Sequence, residues 1–321
     1  MADVVAGLDV GGTKTLAVAV DARTDAVLAT VRRPTGAGGD GLLTSAGTVL
    51  AELAGAAGLP ATGFAAVGVG VPGLVDRAAG TVRHAVNLGL GDDPVALAEH
   101  LGRLAEAPVV VDNDVNLAAV GAAVALGCHG DLAYLSIGTG LAAGFVLGGR
   151  IRRGAHGAAG EIGHLPVDPH GPPCECGQRG CLEVLASGTA IAARWPSGDG
   201  EVAAAAALLD AAGRGDPGAR AVLDEVAGHL AGAVALLAQT VDPELVVLGG
   251  GVAEAGTGLL DAVRVALRRR ARRSPVLAAI GLADRVTLVP TGVPAGALGA
   301  AVLARHHLRR EGDRLPVVDP T

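Results

Sequence analysis

The alternation of apolar and polar positions predicts a regular succession of strands and helices. Short apolar segments such as AAVGVGV, APVVVD, ELVVLGG and RVTLVP have the length and β-branched content of buried strands. Apolar positions recur at helical spacing over residues 41–57, 94–105, 115–126, 201–212, 217–240, 257–270 and 295–310. Strands that alternate with amphipathic helices favour an α/β architecture.

One arrangement of strand, glycine-rich turn and strand occurs twice. It appears first in VVAGLDVGGTKTLAVAVDA, with Gly11 and Gly12 at the reversal, and again in LAYLSIGTGLAAGFVLGG at residues 132–149. The repeat predicts two related α/β domains, each contributing one glycine-rich turn to a shared cleft. We place the N-terminal domain at residues 1–118 and the C-terminal domain at 119–321, with the last helix packing back on the first domain.

Composition and charge narrow the function classes. The 321 residues are 50% apolar and carry a net charge of −7, which argues against a nucleic-acid-binding surface. The basic run RRRARR at residues 268–273 is expected to be a solvated helix C-terminus. The acidic start MADVVAGLDV has no signal-peptide pattern, and we expect no membrane-spanning run. These features predict a cytoplasmic protein.

Both glycine-rich turns are candidates for binding phosphate, because glycine lets backbone N–H groups approach anionic oxygens closely. Asp9 and Lys14 bracket the first turn, and Thr139 lies in the second. GGTKT is not a Walker A loop, and GVGVPG is a poor dinucleotide motif because no helix pattern follows it. VVLGGGV at the end of a later strand is either a plain turn or a nucleotide contact.

The segment HGPPCECGQRGCLEV contains three of the chain's four cysteines, and these three lie within eight residues of one another. Cys174, Cys176 and Cys181 together with His164 form a complete tetrahedral zinc set. Buried inert thiols and a Cys174–Cys181 disulfide are the alternatives, although a reducing compartment disfavours the disulfide. Cys128 is expected to be inert.

Acidic residues flank the predicted knuckle and the end of a buried strand. Glu161 and Glu183 are suited to accept hydrogen bonds from a polyhydroxyl ligand. In VVVDNDVNLAA, a carboxylate held at a strand end can accept a hydroxyl proton during in-line phosphoryl transfer, and Asp114 is the candidate base. The alternative role of one of the two aspartates, Asp112 or Asp114, is to cap the following helix.

In these motifs the chain resembles the ROK family of sugar kinases and sugar-responsive repressors, nearly over its full length. DVGGTKT is similar to the family's first phosphate loop and SIGTGLAAG to its second, NDVN to its catalytic motif, and GEIGH with CECGQRGCLE to its zinc and sugar signature. The resemblance implies the actin-like, hexokinase-like ATPase fold, which is ribonuclease H-like, with two related domains around a central cleft.

The resemblance also implies roles for particular residues. Asp114 would be the base acting on a hexose hydroxyl, most often the 6-hydroxyl, and Asp9 would lie near Mg²⁺. His164 would present one ring nitrogen to zinc and the other to the sugar. Sugar contacts would come from Asn113, Asp114, Glu161, His164, Glu183, Gly73 and Asn87. ATP contacts would come from Gly11, Gly12, Thr13, Lys14, Gly138, Thr139 and Gly140, with Gly250 and Gly251 at the adenosine.

The expected activity is ATP- and magnesium-dependent phosphorylation of a hexose, with glucose as the leading substrate and a homo-oligomeric, often dimeric, state. The alternatives are N-acetylmannosamine, N-acetylglucosamine or another hexose, and, in another class, a sugar-sensing transcriptional regulator. The family's repressors carry an added N-terminal DNA-binding segment, for which we expect no room ahead of Asp9. Ala142 and Ala143 replace glycines usual in the second loop, and Leu90 stands where sugar kinases of the family often have Trp.

Overall fold

The computed structural model describes residues 4–197 and 200–309, which form two compact units. The described residues of unit 1 are 4–129, 149–157 and 292–309; those of unit 2 are 130–148, 158–197 and 200–291. Three segments distant in sequence therefore build unit 1. The domain boundary near residue 118 lies inside a helix of unit 1 and stays a prediction.

Strands and helices alternate through much of the chain. The strands are β1 (Val4–Val10), β2 (Lys14–Asp21), β3 (Val27–Pro34), β4 (Ala66–Val71), β5 (Leu74–Asp76), β6 (Thr81–Arg83), β7 (Val109–Asn113), β8 (Leu132–Ile137), β9 (Leu141–Leu147), β10 (Arg150–Ile151), β11 (Leu245–Gly249) and β12 (Val286–Leu288). The helices are α1 (Gly38–Ala56), α2 (Leu97–Ala105), α3 (Asp114–Leu126), α4 (Leu182–Ala186), α5 (Gly188–Arg194), α6 (Glu201–Gly213), α7 (Pro217–Val241), α8 (Thr257–Ala271), α9 (Pro275–Ile280) and α10 (Ala295–Arg309).

Unit 1 is built on a five-stranded sheet in the order β3-β2-β1-β4-β7. Strands β1 and β2 are antiparallel, whereas β1, β4 and β7 run parallel. Along β1, Ala6 and Leu8 pack with α1 and α2, and Val5 packs with α10. Because both faces of the sheet are covered, the central strands are apolar at almost every position.

Glycines let α10 lie directly on the sheet of unit 1. A Cβ atom at Gly68 would overlap the carbonyl oxygen of Ala300, and one at Gly7 would overlap that of Ala297. Gly121 of α3 likewise admits the backbone of Ala295. The glycines of GVGVPG therefore include one, Gly68, that close packing requires.

Gly68→Ala is expected to lower the free energy of unfolding by about 1–3 kcal/mol or more, because backbone atoms of α10 must move to admit the methyl group. Gly55→Ala is the matched control, since Gly55 is exposed in α1 with open space around it. That change should stabilise the protein by up to about 1 kcal/mol through helix propensity. Urea unfolding of both variants measures the difference, and equal stabilities would contradict the packing argument.

Unit 2 contributes four neighbouring strands in the order β9-β8-β11-β12, with β8, β11 and β12 parallel. Helices α6, α7 and α8 cover one face, where Leu135 and Leu248 of the sheet share a core with Leu230 and Val263. The first two strands of each unit's sheet thus form an antiparallel pair joined by a glycine-rich turn, as the sequence repeat predicts.

Contrary to our expectation, one described helix is long and apolar enough, by length and composition alone, to cross a membrane. This helix is α7, and half of its most apolar stretch is buried inside the protein. Leu230, Val234 and Leu237 belong to the core of unit 2. Core helices pass the same length and composition test, and the packing of α7 accounts for its apolar character.

Candidate functional site

The junction of β7 and α3 in unit 1 carries the predicted base. Asp114 is the first residue of α3, so its position is fixed by the strand before it and the helix after it. Asn113 is the N-cap, and its side-chain oxygen accepts hydrogen bonds from the backbone N–H groups of Val115 (3.0 Å) and Asn116 (3.2 Å). The alternative in which Asp112 or Asp114 caps α3 is wrong. Asn113 occupies the N-cap position and has the extended backbone that capping requires.

The first glycine-rich turn is a tight reversal between β1 and β2. The Gly11 N–H donates to the carbonyl oxygen of Lys14 (2.9 Å), and the carbonyl oxygen of Thr13 accepts from the Thr35 N–H (3.1 Å). A Cβ atom at Gly12 would lie 2.8 Å from the Cβ and the carbonyl oxygen of Asn87. The structure therefore brings Gly12 and Asn87, two predicted site residues 75 positions apart, into contact.

Asp9 lies against the first turn of α10. A Cβ atom at Gly296 would overlap the Asp9 carboxylate, so the position must remain without a side chain while that carboxylate keeps its place. A carboxylate beside a helix N-terminus is favoured by the helix dipole. Sequence reasoning missed Gly296, because its partner is 287 residues away and no local pattern marks it.

The second glycine-rich turn, in unit 2, is held from two sides. The Gly138 N–H donates to the carbonyl oxygen of Gly140 (3.0 Å), and the Gly138 carbonyl accepts from the Gly188 N–H (2.7 Å). The Thr189 hydroxyl donates to the Thr139 carbonyl (2.9 Å). The start of α5 thus supports this turn, although no local sequence pattern marks Gly188 or Thr189 for this role.

Other predicted site residues surround the same turn. Oε2 of Glu183 accepts a hydrogen bond from the Leu141 N–H (3.0 Å), and a Cβ atom at Gly140 would lie 2.5 Å from that oxygen. Gly250 packs against the backbone of Ile137 at the end of β8. Unit 2 thereby brings Gly140 and Glu183 into contact and places Gly250 beside the strand end that leads into the turn. Gly251 follows at the start of the next turn, and Glu161 is exposed one residue before a short 3-10 turn.

The cysteines and His164 converge as zinc ligands would. Nδ1 of His164 lies 3.7 Å from Sγ of Cys174, and Sγ of Cys176 lies 3.7 Å from Sγ of Cys181. The ligand atoms of His164, Cys174 and Cys176 all lie within 4.8 Å of one another. Tetrahedral coordination with Zn–S bonds of about 2.3 Å separates two sulfurs by about 3.8 Å. His164, Cys174 and Cys176 therefore fit a zinc site, Cys181 lies beside Cys176, and the cysteines are free thiols rather than a disulfide.

The thiols of the knuckle differ in acidity. A hydrogen bond from the Gln178 side chain (3.4 Å) lowers the pKa of Cys176 to about 6, which favours the thiolate that metals bind. Burial raises the pKa of Cys181 to about 12. The Gln178 side chain also donates to the backbone carbonyl oxygen of His164 (2.9 Å). One amide group therefore bonds to two of the four predicted zinc-binding residues, Cys176 and His164.

An α/β unit whose sheet begins with two antiparallel strands joined by a glycine-rich turn, found twice in one chain, is typical of the actin-like, hexokinase-like class of ATPase folds, to which the similar solved ROK sugar kinases belong. Within that class the chain belongs to the ROK family, whose sequence pattern matches residues 5–307. Both the predicted fold class and the predicted family are confirmed.

Known proteins of the family are similar over different lengths of the chain. The glucokinase of Halalkalibacterium halodurans is 39% identical over 215 residues, which span 62% of this chain and 64% of that protein. The glucokinase of Streptomyces coelicolor is 33% identical over 323 residues, covering 93% of this chain and 96% of that protein. A solved ROK family glucokinase from Streptomyces griseus, in complex with glucose and AMPPNP, matches with a TM-score of 0.76 and 31% identity and covers 94% and 99% of the two chains.

Proposed function

We propose that the protein is an ATP- and magnesium-dependent hexose kinase that transfers the γ-phosphoryl group of ATP to a sugar hydroxyl. Glucose is the leading substrate and its 6-hydroxyl the leading acceptor. The observation that carries the proposal is the position of Asp114, a carboxylate held at a rigid strand-to-helix junction. The similarity to glucokinases over most of the chain supports it.

In the proposed reaction Asp114 accepts the proton of the sugar hydroxyl as its oxygen attacks the γ-phosphorus. The new bond from the sugar oxygen to the γ-phosphorus replaces the bond between the γ-phosphorus and the oxygen that leaves with ADP. Catalysis of this step rests mainly on positioning and charge stabilisation. Asn113 uses its side-chain oxygen as the helix cap, which leaves its amide N–H groups to donate to a sugar hydroxyl. Asn87, Gly73, Glu161, His164 and Glu183 complete the proposed sugar contacts.

The nucleotide contacts are proposed at the two glycine-rich turns. Gly11, Gly12, Thr13 and Lys14 serve the first, and Gly138, Thr139 and Gly140 the second, with Gly250 and Gly251 at the adenosine. The Gly11 and Gly138 N–H groups already bond to carbonyls within their own turns, so they shape the backbone more than they donate to phosphate. The Asp9 carboxylate would hold Mg²⁺, directly or through water, and the ion when bound neutralises charge on the phosphates.

Zinc is proposed as a structural ion held by His164, Cys174, Cys176 and Cys181. Four protein donors close the coordination sphere, so this site has a structural role. Its last ligand is followed two residues later by Glu183, whose carboxylate contacts the second glycine-rich turn. The knuckle would thereby fix the place of a carboxylate that serves both the sugar and the turn.

Gly140→Ala tests the contact between Glu183 and the second turn. The added methyl group would displace the Glu183 carboxylate, which can rotate away, so the free energy of unfolding should change by less than about 1 kcal/mol. We expect kcat/KM for the sugar to fall about tenfold, the equivalent of one lost hydrogen bond. Gly213→Ala, at an exposed position of α6 with open space around it, is the control. Equal kinetics in both variants would contradict the assignment of Glu183.

The deciding experiment follows ATP consumption by the purified protein with Mg²⁺ across glucose, other hexoses, N-acetylmannosamine and N-acetylglucosamine, with Asp114→Asn as the blank. Selective turnover of glucose that the variant loses is the expected result. Turnover of an N-acetylated sugar instead would keep the reaction and change the substrate. Sugar binding with no turnover of any sugar would favour the sugar-sensing regulator. The cytoplasmic location, the dimeric state and the lack of nucleic-acid and membrane partners remain part of the proposal, and light scattering measures the dimer.

A further inference from the structure

A buried carboxylate lies immediately before the proposed catalytic turn. Asp112 is only 2% exposed, and its Oδ2 atom faces two arginines. Nε of Arg153 donates to this oxygen at 2.8 Å, and Nη2 of Arg153 lies 2.6 Å from it. Nε of Arg77 lies 3.2 Å away. All three side chains belong to unit 1, and Arg153 reaches Asp112 from the segment 149–157.

The other oxygen of the same carboxylate holds the turn itself. Oδ1 of Asp112 accepts from the Asn113 N–H (2.9 Å) and from the side-chain amide of Asn116 (3.4 Å). Asn113 and Asn116 flank Asp114, so the two ends of the catalytic turn bond to one carboxylate oxygen while the arginines bond to the other. Any rotation of the Asp112 carboxylate displaces these two contacts.

Arg153 is the stronger of the two cationic partners. Its side chain is 14% exposed, against 39% for Arg77, so its interaction is less screened by water. A guanidinium places two N–H groups in a fixed fork, which sets the orientation of a carboxylate as well as its charge. A lysine in its place would supply a point charge with less control of orientation.

We propose that Arg153 is a positioning residue for phosphoryl transfer: through Asp112 it fixes the turn between β7 and α3 and so holds Asp114 in its productive place. This proposal rests on the proposed kinase function. Arg153 acts through Asp112 and the turn, and it has no assigned contact with sugar, ATP or metal.

The test compares Arg153→Met with Arg152→Met, a matched control at the exposed neighbouring arginine. In Arg153→Met we expect kcat to fall about 100-fold, the effect of a displacement of about 1 Å at a reacting group, while KM for ATP changes less than twofold. Arg153→Lys should recover part of the lost kcat, and Arg152→Met should match the wild type. A wild-type kcat per folded molecule in Arg153→Met would overturn the proposal.

A second variant separates positioning from folding. Arg153→Met leaves a buried carboxylate with one cationic partner fewer, which also destabilises the protein. The combination of Asp112→Asn and Arg153→Met removes both charges and should restore the thermal midpoint towards the wild type. The proposal expects kcat to remain at least tenfold low in this folded protein, whereas recovery of kcat together with stability would assign the ion pair a purely structural role.

Hydrogen exchange distinguishes failure of this proposal from failure of the kinase function. The Asn113 and Val115 amides should exchange at least tenfold faster in Arg153→Met than in Arg152→Met, because the turn loses its anchor. Unchanged exchange would overturn the positioning role even if the protein phosphorylates glucose. Absence of turnover by the wild type with every sugar would instead overturn the kinase function, and the exchange result would still decide whether Arg153 orders the turn.

Discussion

Asp114→Asn is expected to lower kcat for sugar phosphorylation by about 10²–10⁴-fold, the range in which a positioned general base contributes. An amide at this position cannot take the hydroxyl proton. The fold should survive, because Oδ1 of Asp114 accepts a hydrogen bond from the Val115 N–H (2.9 Å) that an asparagine oxygen can also accept. Steady-state kinetics and the thermal midpoint measure the two effects separately.

Asp261→Asn is the matched control for this loss. Asp261 is exposed in α8, and the same chemical change there should leave kcat within twofold of the wild type and the free energy of unfolding within about 0.5 kcal/mol. Near-normal turnover in Asp114→Asn would remove the base from the mechanism. A large loss of kcat in both variants would point to a defect in preparation rather than in chemistry.

Regular periodicity made much of this fold predictable. Each of the seven helices predicted from apolar spacing is present, and the described bounds lie within a few residues of the predicted ones; residue 310, the predicted end of α10, lies outside the described residues. The strands of the two repeated motifs are also confirmed. The helices bury one apolar stripe and the central strands bury both faces, so the spacing of apolar residues in their sequences reflects the secondary structure.

Elements that bury little were missed. Strand β3 lies at the edge of its sheet, with Val27 and Leu28 each 48% exposed, so its sequence does not alternate in a recognisable way. The hairpin of β5 and β6 and the short helices α4, α5 and α9 are too brief to show a period. An element that is short or mostly exposed has no regular spacing of apolar residues from which it could be predicted.

The candidate site divides in the same way. Asp114 could be proposed from the sequence because a polar cluster after a buried strand is a local feature. The partners that support the predicted residues could not, since Arg153 is 41 positions from Asp112 and Gly296 is 287 positions from Asp9. Such pairs are specified by the packing of distant segments, which the spacing of residues in one segment does not encode.

Cys176→Ser is expected to abolish stoichiometric zinc binding. The purified wild type should contain about one zinc ion per chain, because the ligand atoms of His164, Cys174 and Cys176 lie within 4.8 Å of one another and Sγ of Cys181 lies 3.7 Å from Sγ of Cys176. Altering a residue that only orients a metal ligand weakens metal affinity by about 10–100-fold. Loss of a direct ligand should weaken zinc affinity by more than that. Elemental analysis after dialysis, together with competition against a chelating dye, measures both quantities.

Cys128→Ser is the matched control, because Cys128 is the one cysteine of the chain outside the knuckle and should leave the zinc content unchanged. Metal-free protein should show faster hydrogen exchange at the Cys174 and Gly180 amides, which bond within the loop, and weaker sugar binding because Glu183 follows the last ligand. If metal-free protein bound sugar as tightly as the zinc form, the knuckle would not position the sugar contacts. Zinc content that is equal in Cys176→Ser and Cys128→Ser would contradict the ligand set itself.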